Sequence, residues 1–190
     1  MALVESIDIP LGSPMPTFTL TDPHGKEYSS ESLLGSKGLL VAFTCNHCPY
    51  ALAVWPRLMR LAKEAQKLGI NTVGINPNIH PDYPEDAPEK MKEKIKEWGI
   101  SFPYLIDATQ KVAKDFKAQC TPDLYLFQGG ARAQQAAPLL VYHGRLDDNW
   151  QDESKVKHQE LKEAIQNLAI NLPISKDQKH SMGCSIKWKN

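Results

Sequence analysis

The sequence has 190 residues, of which 42% are hydrophobic, enough for one domain with a sizeable apolar core. Lysine plus arginine and aspartate plus glutamate number 22 each, so charge gives no reason to expect a nucleic acid or an anionic membrane as partner. No apolar run approaches the ~20 residues of a membrane span, and the first residues lack the pattern of a secretory signal. We therefore expect a cytoplasmic protein, in which four cysteines are too few for a disulfide scaffold.

The chain is predicted to open with a lead-in and a hairpin. Residues 1–16 contain three prolines and are expected to be irregular. Phe18–Leu20 and Glu27–Tyr28 flank a turn-forming segment, which predicts two short antiparallel strands.

The strongest pattern follows. The apolar run Leu39–Phe43 predicts a buried strand, and Gly69 is a suitable stop for the helix that comes after it. Residues 70–75 predict a second buried strand, which would complete a right-handed parallel unit. The helix is predicted from apolar residues spaced by three and four: Val54, Leu58, Leu61, Ala65 and Leu68.

The second half predicts a shorter set of elements. Residues 76–88 are predicted to form a long loop that is either functional or mobile. A charged helix is predicted to follow this loop and to end at Gly99. A segment beside the sheet (residues 102–107) and a short helix around Phe116 precede an antiparallel pair of strands at 124–127 and 139–143. The connection between these strands, 128–138, is rich in Gly, Ala and Gln. A closing helix is predicted from the stripe Val156, Leu161, Ile165 and Leu168.

This order predicts an α/β fold with a central mixed β-sheet flanked by helices and an N-terminal β-hairpin extension. We expect one domain over residues 1–172 and a C-terminal tail over 173–190, with the core complete by Pro173.

A Cys-x-x-Cys pair, Cys45 and Cys48, falls where the central strand gives way to the helix. Unpaired N–H groups and the dipole of a first helical turn stabilise a thiolate, and such pairs lower a cysteine pKa from ~8.5 to between ~3.5 and ~7.5. We expect Cys45 to be the anion that attacks and Cys48 to resolve the mixed disulfide. His47 is expected to favour the thiolate, the alternative being an exposed loop histidine. The alternatives for the pair are two inert thiols or half of a zinc site.

The element order, Cys45-Asn46-His47-Cys48 and Thr121-Pro122 together resemble the thioredoxin fold. The N-terminal hairpin and inserted helix resemble its redoxin branch, which contains the alkyl hydroperoxide reductase/thiol-specific antioxidant proteins. The chain is most similar to bacterial redoxin-like proteins that share Phe43 to Tyr50, Cys120 to Pro122, residues 144–149 and residues 183–188. The resemblance implies a cis Pro122 facing the active cysteines, with Thr121 forming an edge that pairs with an incoming substrate.

The resemblance implies a thiol–disulfide oxidoreductase that acts on a disulfide-containing protein or a small thiol or peroxide and is reset by an external dithiol. No cofactor and no resident metal are expected. Two alternatives stay open: a peroxiredoxin-like antioxidant that reduces hydroperoxides, and a Cu- or Zn-binding protein. The peroxiredoxin pattern Pro-x-x-x-Thr-x-x-Cys is not present around Thr44, which argues against direct peroxidase activity. A homodimer is among the assemblies left open.

The remaining candidates have two or three interpretations each. Cys120 is a third redox thiol, a metal ligand or a small buried thiol. Cys184 is a resolving cysteine that docks on the site, in the same or a neighbouring subunit, or a thiol on a mobile tail. Arg145, Asp147 and Asp148 border the site or, as we favour, belong to a solvated turn.

Overall fold

The computed structural model describes residues 3–129 and 137–189. Its strands are Leu3–Glu5 (β1), Thr19–Thr21 (β2), Glu27–Ser29 (β3), Gly38–Phe43 (β4), Ile70–Asn76 (β5), Tyr104–Ile106 (β6), Cys120–Thr121 (β7), Asp123–Gln128 (β8), Leu139–Gly144 (β9) and Met182–Ser185 (β10). Its α-helices are Ser30–Leu33 (α1), Pro49–Lys67 (α2), Pro88–Trp98 (α3), Lys111–Asp115 (α4) and Glu160–Ala169 (α5).

A mixed seven-stranded sheet forms the centre, in the order β3-β2-β6-β5-β4-β8-β9. Strands β4, β5 and β6 run parallel, whereas β8 and β9 on one side and β2 and β3 on the other are joined by antiparallel pairing. The predicted α/β fold, its mixed sheet and its N-terminal hairpin are therefore confirmed.

The central strand β4 is buried on both faces, which explains why its sequence is apolar without alternation. Leu39, Val41 and Phe43 point into a core cluster shared with α4, and Leu40 and Ala42 point into a cluster shared with α2 and α5. Helices thus cover both faces of the sheet, and the end of β4 is held rigidly where the cysteines follow it.

The boundaries of α2 decide where the cysteines lie. Pro49 occupies the first helical position, where a missing N–H costs least, and Cys48 is the N-cap. At the other end the chain turns at Gly69 with φ +84°, a conformation that glycine adopts without strain. The predicted apolar stripe is buried as far as Ala65, while Leu68 is 37% exposed.

The expectation that the core is complete by Pro173 is wrong. Strand β10 of the C-terminal segment lies between β1 and β7 in a second, three-stranded sheet. Cys184 and Ile186 are only 2% and 3% exposed. The lead-in is likewise not wholly irregular, because Leu3–Glu5 forms β1 against this segment.

Three smaller points complete the comparison with the sequence. The closing helix α5 begins at Glu160, and Val156 instead follows a 3₁₀ turn at Glu153–Lys155. Most of the predicted connection 128–138 lies outside the described residues. Across residues 3–129 and 137–189, no helix combines the length and apolar content needed to cross a membrane.

Candidate active site

Cys45 and Cys48 lie on the segment between β4 and α2, but they do not share a helical turn. Helix α2 begins at Pro49, so Cys48 caps it while Cys45 precedes it in irregular backbone. The two sulfurs nevertheless belong to one buried cluster with Ala51 and Cys184. The spacing correctly predicted that the pair lies between the strand and the helix. The residue at the helix N-terminus, however, is Cys48 and not Cys45.

The groups around Cys48 favour its thiolate. A hydrogen bond from the Cys45 thiol is the largest cause, and the Cys184 thiol and the N–H groups of Ala51 and Cys184 act in the same direction. Together they lower the pKa of Cys48 to about 5 against the opposing effect of burial. One contact favours the thiol form, since the sulfur is 3.1 Å from the carbonyl oxygen of Thr121. Four donors outweigh this one acceptor.

The groups around Cys45 favour its neutral thiol. Its side chain is fully buried, and this desolvation raises its pKa well above the ordinary value, with further contributions from Cys48 and the carboxylate of Asp86. A hydrogen bond with Thr121, whose Oγ1 is 3.2 Å from the sulfur, opposes the shift only in part. The surroundings of the pair thus differ from the expectation: burial and Asp86 disfavour the anion at Cys45, whereas the donors around Cys48 favour it there.

His47 is held by a carboxylate that sequence reasoning missed. Its Nδ1 pairs with Asp86, which is 0% exposed and lies in a 3₁₀ turn of the long loop at 76–88. The same carboxylate accepts from the N–H of Asn46 at 2.6 Å and from Nδ2 of Asn76 at 2.9 Å. The only sequence signal was the length of that loop, which indicated a function without indicating a residue.

The Thr121–Pro122 peptide bond is cis, as the resemblance implied, and it faces both cysteines through Thr121. The edge expected to receive a substrate strand is already filled by the chain itself. Strand β10 pairs with it in antiparallel register, Cys184 opposite Thr121 and Ser185 opposite Cys120.

With this geometry in place, comparison with known proteins is informative. The sequence pattern of the AhpC/TSA family matches residues 11–136, about two thirds of the chain. The chain belongs to the AhpC/TSA family. A comparison with curated proteins gives no significant match.

Solved structures extend the likeness over the full length of this AhpC/TSA protein. An uncharacterized conserved protein from Geobacillus kaustophilus is 39% identical, with a TM-score of 0.90, over 100% of this chain and 97% of that one. A hypothetical protein from Sinorhizobium meliloti 1021 is 34% identical, with a TM-score of 0.89, over 97% and 98%. The peroxidoxin BcpB from Mycobacterium tuberculosis is 18% identical, with a TM-score of 0.58, over 86% and 98%, and shares the fold.

The other two cysteines of this AhpC/TSA protein differ in their position. Cys184 lies in the sulfur cluster, and burial raises its pKa to about 12. Cys120 is outside that cluster, its thiol directed to the carbonyl oxygens of Pro122 at 3.5 Å and Ser181 at 4.0 Å. Burial raises the pKa of Cys120 above the range in which a thiol ionises in water, which fits the interpretation as a small buried thiol.

The polar turn after β9 is not the solvated surface that we favoured. Asp147 is 7% exposed and pairs with Arg57 of α2 at 3.0 Å, and Arg145 pairs with Glu160. The pair of Arg57 and Asp147 ties α2 to this turn, so the turn supports the helix that carries Cys48.

Two further features bear on the chemistry. Thr44 is buried and extends the pairing of β4, its N–H donating to the carbonyl of Ile75 at 3.0 Å.

Cys45, His47 and Asp86 offer three ligand atoms within 4.8 Å of one another, a set that suits a soft divalent metal ion. Because Asp86 pairs with Nδ1 of His47, this set also works as an ordinary hydrogen-bonded support for the dithiol.

Proposed function

We propose that the protein is a redoxin-type thiol–disulfide oxidoreductase in which Cys48 attacks a disulfide and Cys45 completes the reaction. The observation that carries the proposal is the place of Cys48: it is the N-cap residue of α2, and two thiols and two N–H groups donate to its sulfur and lower its pKa. Thiolates at such positions are the nucleophiles of thiol–disulfide exchange. Membership of the AhpC/TSA family supports the same class of chemistry.

The proposed reaction consists of two successive thiol–disulfide exchanges. The Cys48 thiolate attacks one sulfur of a disulfide, a mixed disulfide forms, and the other half of the substrate leaves as a thiolate that takes up a proton. The Cys45 thiol then loses its proton and attacks the Cys48 sulfur, and the second half leaves as a thiol. The chain is left with a Cys45–Cys48 disulfide, which an external dithiol reduces.

This assignment reverses the roles expected from the spacing alone, and its reason is the order in which the sulfurs ionise. The donors around Cys48 favour its thiolate, whereas burial and then the carboxylate of Asp86 favour the neutral thiol of Cys45. We include a reducing cytoplasm and an external dithiol donor in the proposal, because the pair turns over only if it is reduced again.

Single-turnover reduction of glutathione disulfide by the reduced protein tests the proposal. We expect each chain to release two molecules of glutathione and Cys48→Ser to lower the rate by at least ~100-fold, because a hydroxyl does not replace a thiolate. Cys120→Ala is the matched control and should leave the rate unchanged, since its thiol lies outside the sulfur cluster. If Cys48→Ser reduced the disulfide as fast as the unmodified chain, the proposal would be wrong.

A second mixing experiment separates the hydroperoxide alternative. Reduced protein is mixed with hydrogen peroxide, and sulfenic acid at Cys48 is trapped and located by mass spectrometry. Consumption of peroxide no faster than by free cysteine would leave disulfide reduction as the activity.

A further inference from the structure

Strand β10 lies opposite Thr121, beside the two active-site cysteines. An extended peptide that adds to a free sheet edge is bound through main-chain pairing. In this protein β10 occupies that edge, and the residue that it places opposite Thr121 is a cysteine, Cys184. The chain thus presents one of its own thiols at the position that the resemblance assigns to an incoming substrate.

The tail is fixed in this register from both sides. Before the strand, the Ser181 hydroxyl donates to Gly144 O at 2.6 Å, the Ser181 N–H donates to Ser6 Oγ at 3.0 Å, and the Ser6 N–H donates to Ser181 O at 2.9 Å. After it, the N–H groups of Ile186 and Lys187 donate to Gln119 O at 3.1 Å and to Asn78 Oδ1 at 2.9 Å. Strand β10 is therefore a built part of the site.

The backbone comes unusually close at this point. A Cβ atom at Gly183 would lie 2.1 Å from the carbonyl oxygen of Thr121, so only glycine fits there. Because the backbones of Gly183 and Thr121 lie so close together, the next residue, Cys184, packs in the cluster of Cys45, Cys48 and Ala51. Both the thiol and the N–H of Cys184 are directed at the Cys48 sulfur.

We propose that Cys184 is a second resolving thiol, which forms an intrachain disulfide with Cys48 and makes the centre a three-thiol relay around Cys48. The inference rests on the proposed function, because it needs a mixed disulfide at Cys48, and it adds a second route for removing that intermediate.

The chemistry of this route balances in the same way. The Cys184 thiol loses its proton and attacks the Cys48 sulfur of the mixed disulfide. The bond between Cys48 and the substrate half breaks, and that half leaves as a thiolate that takes up a proton. Two thiols of the chain are oxidised, one substrate disulfide has become two thiols, and an external dithiol reduces the Cys48–Cys184 bond.

Burial raises the pKa of Cys184, and the nearby Lys187 offsets part of this effect. The Cys184 side chain already shares a buried cluster with Cys48, so the thiol stands beside the sulfur that it would attack.

Strand β10 also limits which substrates can reach the dithiol. A protein segment cannot pair with Thr121 while β10 does so, and Cys45 and Cys48 are both 0% exposed beneath it. The substrate class that fits is a small disulfide, which needs no sheet edge in order to reach Cys48.

The test uses Cys45→Ser, in which Cys48 and Cys184 are left as the reactive pair. The reduced variant is treated with glutathione disulfide, quenched in acid, alkylated and digested, and its cysteine peptides are identified by mass spectrometry. We expect a Cys48–Cys184 linked peptide as the main oxidised species. With Cys184→Ser added, we expect glutathione to remain on Cys48, at least ~10-fold more than in Cys45→Ser alone, because no neighbouring thiol displaces it.

Cys45→Ser/Cys120→Ala is the matched control, and it should form the same linked peptide. Accumulation of glutathione on Cys48 in Cys45→Ser, with Cys184 alkylated, would overturn the relay and leave the proposed function standing. Absence of any modification of Cys48 in the unmodified chain would instead remove the proposed function itself. A circular dichroism melt of each variant shows that a loss of linkage is not a loss of folding.

Discussion

Asp86 holds the ring of His47 across 39 residues of sequence and is itself fully buried. A buried carboxylate is rarely left without partners, and this one also accepts from Asn46 and Asn76. It lies close enough to Cys45 to oppose ionisation of that thiol. Asp86 therefore adds to the burial that raises the pKa of Cys45, and it does so from a position fixed by His47, Asn46 and Asn76.

Asp86→Asn tests this role of the carboxylate. Burial is the larger cause of the raised pKa of Cys45 and remains in the variant, so we expect a partial fall in that pKa. Alkylation of Cys45 at alkaline pH should become ~2- to 10-fold faster, since each pKa unit corresponds to tenfold in thiolate. The readout is residue-resolved alkylation by mass spectrometry.

Asp123→Asn is the matched control, because Asp123 is another fully buried aspartate that pairs with a histidine, His143, at 2.9 Å. It should lower stability without changing the alkylation rate of Cys45. An equal acceleration in both variants would show that loosening of the fold, and not the charge of Asp86, controls Cys45.

The pH dependence of alkylation identifies the anionic sulfur. The hydrogen bond from Cys45 and the donors that assist it lower the pKa of Cys48 to about 5. Labelling of Cys48 by iodoacetamide should therefore rise with pH to a plateau, with a midpoint of about 5. A midpoint near the ordinary value of 9.0 would contradict the assignment. Cys120→Ala should show the same midpoint as the unmodified chain.

Much of the scaffold could be predicted because its signals are local. The apolar run at Leu39 and the helical spacing that follows it fix β4 and α2 without reference to the rest of the chain. The Cys-x-x-Cys pair could be placed at their junction for the same reason. The residue at which the helix begins was less certain, and it decides which of the two cysteines lies at the helix N-terminus.

The rest depends on contacts between distant segments. The four residues of β10 have no alternating pattern of their own, and Cys184 is buried only because β1 and β7 lie on either side of it. Asp86 belongs to a loop whose sequence is that of an exposed acidic turn. Sequence periodicity does not report such partners, so the tail and the loop were the parts of the site that it missed.

The stability of the reduced protein should rise with pH between about 5 and 9 because of Cys48. Folding lowers its pKa from 9.0 to about 5, chiefly through the hydrogen bond from Cys45. In this interval the unfolded chain holds a proton that the folded chain has released, so unfolding takes one up and becomes harder as pH rises. The stabilisation is complete above pH 9 and is lost as pH falls through about 5.

Urea unfolding of the reduced chain and of Cys48→Ser, at about pH 6 and about pH 8, measures this effect. Subtracting the variant removes the contribution of groups common to both proteins. The raised pKa of Cys45 contributes little, because at about pH 6 and about pH 8 that thiol is mostly protonated in both the folded and the unfolded chain. The expected result is a larger gain with pH in the unmodified chain, and equal gains would contradict it.

The buried ion pair between Arg57 and Asp147 should be needed for folding stability. Both side chains are less than a tenth exposed, and the guanidinium also donates to the carbonyl oxygens of Asn149 and Trp150, each at 2.8 Å. Arg57→Met leaves Asp147 buried without its counter-charge, which costs ~3–5 kcal/mol in unfolding free energy. Arg60→Met is the control on the same helix, since the pair of Arg60 and Glu153 is more than half exposed and is worth ~0–1 kcal/mol. Similar losses in the two variants would contradict the prediction.

Gly183→Ala should uncover the dithiol. The added methyl group would meet the carbonyl oxygen of Thr121, which belongs to the backbone and cannot move aside cheaply, so β10 must shift away from β7. Cys48, now 0% exposed beneath that strand, should then be alkylated ~10-fold faster or more, because local opening governs access to a buried group. Ser185→Ala changes the same strand at a half-buried position and should leave the rate as it is. If the two variants reacted at one rate, the tail strand would not be what covers Cys48.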